Sequence, residues 1–504
     1  MLSILNLTKT NKLLLATFAF LAVLAVGSGR AHAATLNVTG GCTLPIAINS
    51  VNAGANQSGC TATGAGYGTG DTIILPAGTQ TLTADLPTIT EPVVIQGAGM
   101  SQTTIDGDGA YFGINARDAV TIKDLKVTAF RGAGIKATSN SVALDHIEVD
   151  GEDAISNDDN IHGIWLNGPD AGGASTITAD SVYIHNISGI DTYIHGFIVD
   201  LAGSSAVGAM TVSLSNTTIS DLHATSSGGG GQAGVNTFMI TAGLYGSTTG
   251  GSITSTVDNT TINDITAAQT AAGFGTFANA GSGQTITMHT TVRSATVTGI
   301  RGSTSAYIAQ SPAFFSAGVA SNGGVSNVSE EVENSLIADN STDGTPYNCY
   351  AGDLSSNFGA SGGTVNASII SSGHNISDDA TCTTFTQSGD QQNVNNIIST
   401  LGPLQNNGGA VPTRALLPGS PAIASGGSVL GVTTDARGIA RPSDCPSVGA
   451  FQFEGAVCAA STTNAGTNAG APNTGIHSVS LIGVSIATLL GLSAIGYSIA
   501  TKRN

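Results

Sequence analysis

An acidic cluster beside a histidine is the part of this sequence whose residue types best fit catalysis. The cluster consists of Glu152, Asp153, Asp158 and Asp159, and His162 follows it. Two carboxyl groups that face one cleft can hydrolyse a glycosidic bond, one as the acid and the other as the base or nucleophile. Adjacent residues of a strand point to opposite faces, so Asp158 and Asp159 can act together only from a loop. We favour the alternative, a solvated acidic loop that forms a turn.

Two further groups of residues could hold a metal ion. Residues 106–109 read Asp-Gly-Asp-Gly, and their side-chain and backbone oxygens suit Ca²⁺. The other ligands of a recognised calcium loop are missing, which favours a turn. His162 and His195 occupy equivalent places in two similar segments, which indicates stacking in a repeat rather than metal or acid-base chemistry. The sequence therefore predicts no cofactor, with Ca²⁺ at the Asp-Gly-Asp-Gly turn left open.

Basic residues are too few and too confined to suggest a lyase. Abstraction of a proton from a uronate needs a basic residue, usually beside a bound cation. None of the 15 Lys and Arg residues lies between Lys136 and Arg293. The basic residues near the N-terminal coils, which we interpret as surface charge, are Arg117, Lys123, Lys126, Arg131 and Lys136. The sequence thus favours a protein without catalysis, and a polysaccharide hydrolase or lyase remains the alternative.

Composition excludes two broad classes. The net charge of −18 repels a phosphate backbone, so nucleic acid is not expected as a partner. Charged residues make up only 10% of the chain, against about a quarter in an ordinary globular protein. The surface must then be covered mainly by hydroxyl and amide groups. Ile, Val and Leu recur at regular positions, which argues against disorder.

Six cysteines, an even number, suggest disulfides formed in an oxidising compartment. Sequence order favours the pairs Cys42 with Cys60, Cys349 with Cys382, and Cys445 with Cys458. Six cysteines allow about 15 connectivities, and free buried cysteines are the alternative. No Cys-x-x-Cys spacing occurs, which gives zinc and redox catalysis little support.

A short phrase of β-branched residues, closed by Asp or Asn and another apolar residue, recurs along the chain. It reads YIHNI at 183–187, TISDL at 218–222 and TINDI at 261–265, with weaker copies at 296–300 and 336–340. We align the apolar positions Leu125, Ile147, Ile184, Ile219, Ile262, Val297 and Ile337. A second phrase, HGIWL at 162–166 and HGFIV at 195–199, lies between copies of the first.

Such unequal repeats predict an all-β chain, a right-handed parallel β-helix. Each coil cannot bury its inner face alone, so coils stack at roughly 4.8 Å per step. About ten coils between Thr72 and Ile376 would span roughly 50 Å. The alternative fold is an antiparallel sandwich array.

The two ends of the chain predict export and anchoring. Lys9 and Lys12 precede an apolar run at 13–26, and the small-residue triplet at 31–33 follows, which is typical of a signal peptide cleaved after Ala33. An uncleaved N-terminal anchor is the alternative. Near the other end, residues 481–500 carry no charge and are about as long as a bilayer core is thick, and a basic tail follows them. The ectodomain is therefore expected at the cell surface.

The segment before this span resembles the sortase sorting signal of cell-wall-anchored proteins. Pro472, Asn473, Thr474 and Gly475 supply its Pro-x-Thr-Gly core, and Ala471 stands where that family has Leu. The resemblance implies a sortase as a partner. A plain membrane anchor after a linker turn is the alternative.

Two stretches resemble bacterial surface β-helix proteins. Residues 42–49 (CTLPIAIN), Cys60, and residues 71–79, 94–99 and 104–107 are similar to the CSLREA-type cap, in which a short helix and a Cys pair close the first coil. The family's Arg-Glu pair is Pro45-Ile46 here, which implies a shorter cap helix. Residues 401–409 (LGPLQNNGG), 417–423 (LPGSPAI), 434–438 (TDARG) and 448–452 (VGAFQ) resemble a choice-of-anchor domain. Together these stretches imply display on the cell envelope.

The expected organisation is a signal peptide (1–33), a cap with first coils (34–110), β-helix repeats (111–380), a choice-of-anchor-like domain (381–458), a linker with the sorting-like motif (459–475), and the transmembrane anchor with its tail (476–504). The preferred function is adhesion or recognition of an extracellular, glycan or host-surface ligand. A structural stalk is the second alternative beside the enzyme.

Overall fold

The computed structural model describes residues 33–157, 160–170, 172–201, 208–228, 232–243, 250–304, 311–455 and 458. In this part of the chain the backbone is mainly β-strand, with one α-helix, α1 (Leu44–Ala53), and two 3-10 helices, η1 (Ser355–Phe358) and η2 (Ile398–Thr400). The predicted signal peptide, sorting motif and membrane span lie outside the described residues. Among the helices that are described, none has the length and apolar character needed to cross a membrane.

The strands are, in chain order, β1 (Ala34–Asn37), β2 (Thr63–Gly64), β3 (Asp71–Ile74), β4 (Gly78–Thr81), β5 (Val93–Gln96), β6 (Thr103–Asp106), β7 (Ile114–Ala116), β8 (Val120–Thr128), β9 (Ala133–Thr138), β10 (Ser141–Asp150), β11 (Asn160–Asn167), β12 (Ala174–Ile190), β13 (Tyr193–Leu201), β14 (Gly208–Ser215), β15 (Thr218–Thr225), β16 (Val235–Ala242), β17 (Gly251–Asp258), β18 (Thr261–Ala267), β19 (Ala271–Ala280), β20 (Thr285–Arg293), β21 (Thr296–Gly302), β22 (Phe314–Ala320), β23 (Val325–Glu333), β24 (Leu336–Ala338), β25 (Ser341–Thr342), β26 (Thr345–Pro346), β27 (Cys349–Asp353), β28 (Thr364–Gly373), β29 (Ile376–Ser377), β30 (Leu401–Gln405) and β31 (Thr413–Leu416).

Most strands pair in parallel with the strand of the next coil, which builds two long sheets. Over the described residues, sheet I has 21 strands, sheet II has eight, and β30 and β31 form a separate hairpin. Ten strands of sheet I follow one another in parallel pairing, namely β3, β5, β8, β10, β12, β14, β17, β20, β23 and β28. The predicted stack of about ten coils is confirmed, and the all-β parallel solenoid replaces the antiparallel sandwich as the fold.

Sheet I turns a corner at a column of residues with left-handed backbone. These residues are Asp124, His146, Ser181, Asn216, Asn259, Ser294, Asn334 and His374, with φ between 51° and 60°. Asn and Asp enter this region more readily than other residues because their short polar side chains bond locally. Their amides also bond from coil to coil: Asn259 Nδ2 donates to Asn216 Oδ1 at 3.2 Å. We call the part of sheet I before this corner the first panel and the part after it the second panel.

A second column of left-handed residues bends the second panel. It also shows that one alignment predicted from the repeated phrase, that of Ile147 with Ile184, was wrong. It contains Asn186, Asp221, Asp264, Gly299 and Asp339. From Ile184 to Ile337 the predicted register holds, but Ile147 lies opposite Val182 rather than Ile184. The reason is that Ile147 follows a residue of the first column, whereas Ile184 precedes a residue of the second. Both columns produce the same Asp/Asn phrase.

The interior is a continuous column of apolar side chains. Phe197, Phe238, Phe274 and Phe314 stack in register on sheet II, with successive ring centroids 5.5 Å apart and at most 1% exposure. At the N-terminal end, α1 buries Leu44, Ile48 and Val51 against this core, with Pro45 in its first turn, where a missing N–H is tolerated. Three disulfides join the pairs that sequence order favours, Cys42–Cys60, Cys349–Cys382 and Cys445–Cys458.

The last part of the solenoid unit folds back over the second panel. We call residues 411–453 the C-terminal segment. Its contacts with the coils include hydrogen bonds of Thr218 to Pro412, Arg414 to Thr298, Arg293 to Leu430, Asn259 to Thr434, Arg441 to Asn259, Ala450 to Thr296 and Gly449 to Asn334. Short side chains on the covered coils leave room for this segment.

Candidate ligand-binding site

The predicted acidic cluster lies at the rim of an open groove. Glu152 and Asp153 follow β10, and with Asp106 and Asp108 they line a cavity of about 410 Å³. The structure thus joins the acidic cluster with the predicted Ca²⁺ turn. Asp158 and Asp159 lie outside the described residues.

The backbone of this acidic groove shows turn chemistry. The Asp108 N–H donates to Asp106 Oδ1 at 2.9 Å, and the Glu152 N–H donates to Asp150 Oδ1 at 3.2 Å. Asp108 and Asp153 have left-handed φ values of 53° and 60°. Such hydrogen bonds are those of Asp residues in turns, as the favoured interpretation of both motifs predicts.

The basic residues of the N-terminal coils do not converge on one site. Arg117 pairs with Asp170 at 2.9 Å, and Arg131 with Asp85 at 3.4 Å. The ammonium group of Lys136 lies 3.9 Å from the ring centroid of Trp165, a cation–π contact. Lys126 alone joins a larger ionic network. Their arrangement gives no shared proton-abstracting site.

His162 and His195 stack as the repeat predicts. They are direct partners in the pairing of β11 with β13, and their rings lie 4.7 Å apart. Both are buried, and burial lowers the pKa of His162 to about 3. A histidine with so low a pKa is neutral at physiological pH, which suits packing rather than acid-base catalysis.

The strongest side-chain constellation lies on the second panel, where three coils carry charged and aromatic residues. We call Lys126, Glu148, Asp150, Tyr183 and His185 the platform. Two columns of the sheet build it: Lys126, Glu148 and Tyr183 are in register, and Asp150 is in register with His185. Side chains two residues apart on a strand share a face, so Glu148 and Asp150 project together.

The platform is one connected ionic network. Lys126 Nζ lies 2.7 Å from Glu148 Oε1 and 3.2 Å from Asp150 Oδ2. His185 Nε2 lies 3.2 Å from Glu148 Oε1, and the Tyr183 ring stacks on the His185 ring at 4.0 Å. The four ionic side chains are between 11% and 24% exposed, so the network is partly shielded from water.

The electrostatics fix the charge of the two carboxyl groups and of the lysine. Burial alone would raise the pKa of Glu148, but hydrogen bonds from His185 and Lys126 outweigh it and lower that pKa. The pKa of Asp150 is likewise lowered against burial, chiefly by the charge of His185. Burial works against the ammonium of Lys126, yet its carboxylate neighbours raise its pKa. At neutral pH both carboxylates are ionised and the lysine is protonated, so neither carboxyl group is poised to act as a general acid.

The C-terminal segment forms a wall beside the platform. One coil further on, Thr218 is in register with Tyr183, and Ser220 with His185. Both are fully buried, and Thr218 Oγ1 donates to the Pro412 carbonyl at 2.7 Å. A ligand on the platform would therefore contact this wall of the C-terminal segment at one side.

The platform is a site that the sequence candidates missed. Lys126 was interpreted as surface charge, and His185 belongs to the phrase at 183–187 as a repeat residue. A usable signal was the spacing Glu148-x-Asp150 on one strand face, in register with Lys126 on one side and with Tyr183 and His185 on the other.

Comparisons with known proteins identify no family. No family model matches the sequence, and the searches of curated proteins and of solved structures gave no match either.

Proposed function

We propose that this chain is a cell-surface recognition protein that binds an extracellular glycan through the platform without turning it over. The observation that carries the proposal is the ionic and aromatic network of Lys126, Glu148, Asp150, Tyr183 and His185 beside the C-terminal segment. Hydrogen-bonding ionic groups next to an aromatic ring are the groups that recognise sugars and other polar ligands.

The protonation states argue for binding rather than catalysis. Glycoside hydrolysis needs one carboxyl group that keeps its proton near the working pH. Glu148 and Asp150 both have lowered pKa values, so each is an ionised acceptor. A fixed set of acceptors and one ammonium donor can hold a ligand in one orientation.

Surface display belongs to the same proposal. It relies on the signal-like segment at 1–33, the sorting-like motif at Pro472 to Gly475 and the apolar span at 481–500. The right-handed winding, the CSLREA-type role of α1 with Cys42–Cys60, and the choice-of-anchor role of the region 381–458 are proposed on the sequence resemblance. Envelope attachment and sortase processing follow from it.

The test is a glycan panel offered to the full-length chain in mild detergent, with retention and released products both measured, with and without Ca²⁺. We expect retention without products. Tyr183→Ala and His185→Ala should each weaken retention by about tenfold or more, as for aromatic residues at the centre of an interface. His146→Ala is the matched control, since His146 is an exposed histidine that contacts Asp145 at 2.6 Å outside the platform.

Three outcomes separate the alternatives. An enzyme working in the acidic groove would be established if products form and then disappear when its carboxylates are changed to amides, namely Asp106, Asp108, Glu152 and Asp153. Retention that is unchanged in the Tyr183 and His185 variants would contradict the platform as the binding site. Neither retention nor products would favour the structural stalk.

A further inference from the structure

A second cluster of metal-ligating side chains lies on the second panel, outside the platform. Asp221, His223 and Asp264 each offer one ligand atom, and these three atoms lie within 4.8 Å of one another. Asp264 is exposed and the other two are half-buried, so the cluster is open to solvent. The proposed ligand site uses none of these residues, whereas Asp221 and Asp264 also belong to the second corner column.

The fold brings the three residues together by stacking two coils. The flanking pairs of β15 and β18 place Asp221 opposite Asp264, and both have left-handed φ values. His223 lies two residues after Asp221, in register with Thr266. His223 Nδ1 lies 2.6 Å from Thr266 Oγ1, a contact that orients the ring.

The platform contains a triad of the same type, and the comparison is informative. Glu148, Asp150 and His185 also offer ligand atoms within 4.8 Å of one another. There the ammonium of Lys126, at 2.7 Å and 3.2 Å from the carboxylates, already supplies the positive charge. A cation from solution would have to displace it.

Within the part of the chain that the structure describes, no ion pair with a basic side chain neutralises the second triad. Among the described residues, neither Asp221 nor Asp264 forms an ion pair with a lysine or arginine. Arg301, two residues beyond Gly299 in the next coil, is held by Asp339 at 2.6 Å. Two carboxylates in adjacent coils thus repel each other without a counter-charge, a cost that a bound cation would remove.

We propose that Asp221, His223 and Asp264 bind a divalent transition metal ion, with Zn²⁺ as the best fit. Two carboxylate oxygens and one imidazole nitrogen are a donor set that zinc accepts, whereas Ca²⁺ and Mg²⁺ prefer oxygen alone. Three protein ligands leave a tetrahedral ion with one open position for water or a ligand. This site is independent of the platform and of the function proposed for it.

The test measures metal binding to the untagged full-length chain after chelation, by calorimetry and metal analysis with Zn²⁺, Mn²⁺ and Ca²⁺ alone. We expect one Zn²⁺ per chain, and at least a tenfold weaker affinity in His223→Gln and in Asp264→Asn. The control His146→Gln removes an exposed histidine that also contacts a carboxylate, and it should keep the affinity within twofold. Equal zinc affinity in wild type and His223→Gln, or no zinc binding at all, would overturn the proposal.

Lys126→Met provides a second, gain-of-binding test. Removing the ammonium should let the platform triad bind zinc as well, so that the stoichiometry rises from one to two. Adding His185→Gln to that variant should return the stoichiometry to one zinc ion per chain. If Lys126→Met still binds one ion, an ammonium is not what keeps metal from the platform triad, and the charge argument that distinguishes the two triads is wrong. Unfolding curves of the metal-free variants, all with surface or half-buried changes, check that each is folded.

Discussion

The second panel has two halves that share one backbone and differ in what lies on them. In one column of the sheet, the coils of β8, β10 and β12 carry Lys126, Glu148 and Tyr183. The same column continues through Thr218, Thr261 and Thr296 on β15, β18 and β21, which are at most 2% exposed under the C-terminal segment.

Side-chain length explains the difference. Long ionic side chains in the first half satisfy one another and keep partial contact with water. In the second half, two short hydroxyl groups bond to the backbone of the covering segment: Thr218 Oγ1 donates to the Pro412 carbonyl, and the Ala450 N–H donates to Thr296 Oγ1. One face of a parallel solenoid can therefore carry an exposed ionic platform in some coils and a surface for a covering segment in others, and only the side chains differ.

The largest effect is expected from a change in the buried ion pair that stabilises the C-terminal segment over the second half of the panel. Asp435 is fully buried and accepts bonds from the Arg437 guanidinium at 2.8 Å and 2.9 Å and from the backbone N–H groups of Arg437, Ile439 and Gln452. Asp435→Ala would leave the buried Arg437 without its main counter-charge. We expect a loss of about 3–5 kcal/mol in the free energy of unfolding of this region, measured by hydrogen exchange of the C-terminal segment.

Asp444→Ala is the matched control, since Asp444 is an exposed aspartate of the same segment, where it accepts a bond from the hydroxyl of Ser443. It should change hydrogen exchange little. Equal protection in the Asp435 and Asp444 variants would mean that the buried ion pair does not hold the segment on the coils.

The interior of the covered coils gives the next prediction. Glu330 points into the core with no exposure, and neither carboxyl oxygen has a hydrogen-bond partner. Burial raises its pKa well above the ordinary value. The unfolded state releases this proton above about pH 4.3, whereas the folded state keeps it up to the raised pKa. The free energy of unfolding therefore falls as the pH rises from about 4.3 to the raised pKa.

Glu330→Leu should remove this cost. We expect it to raise the free energy of unfolding by about 1–3 kcal/mol at pH 8 and to flatten the pH dependence between pH 5 and 8, measured by denaturant unfolding across that range. Glu331→Leu, the next residue on the opposite face, contacts His289 at 3.3 Å and should show no such gain. A destabilised Glu330→Leu would indicate that the carboxyl group has a partner in solution.

The coil stack was predictable because in-register stacking demands similar residues at each corner. Ile219 and Ile262 were aligned correctly from the phrase alone, since Asp221 and Asp264 mark the same bend. Ile147 and Ile184 were misaligned because two corner columns use the same Asp and Asn chemistry. Only backbone geometry distinguishes them.

The sites were less predictable because each joins residues from different coils. Asp106 and Glu152 share a groove only because two turns of separate coils come side by side. Glu148 and His185 meet only once the register of β10 and β12 is known. Coil length varies along the chain, so sequence separation does not reveal such neighbours.

The smallest expected effect concerns the uncovered half, where Glu148→Gln would remove one charge from the platform network. Its lowered pKa means that the charged form adds stability above the ordinary glutamate pKa, about 4.3, and that this gain is lost as pH falls through the lowered value. The variant should be only about 1 kcal/mol less stable than wild type at pH 7, because the network is partly exposed, and the difference should become smaller toward pH 3. Denaturant unfolding at both pH values measures this difference, with Asp145→Asn, a change of a half-buried carboxylate outside the platform on the same strand, as the control. A stability difference that stays constant with pH would mean that Glu148 acts by packing rather than by charge. The contrast between the platform and the half under the C-terminal segment would then not depend on ionic side chains.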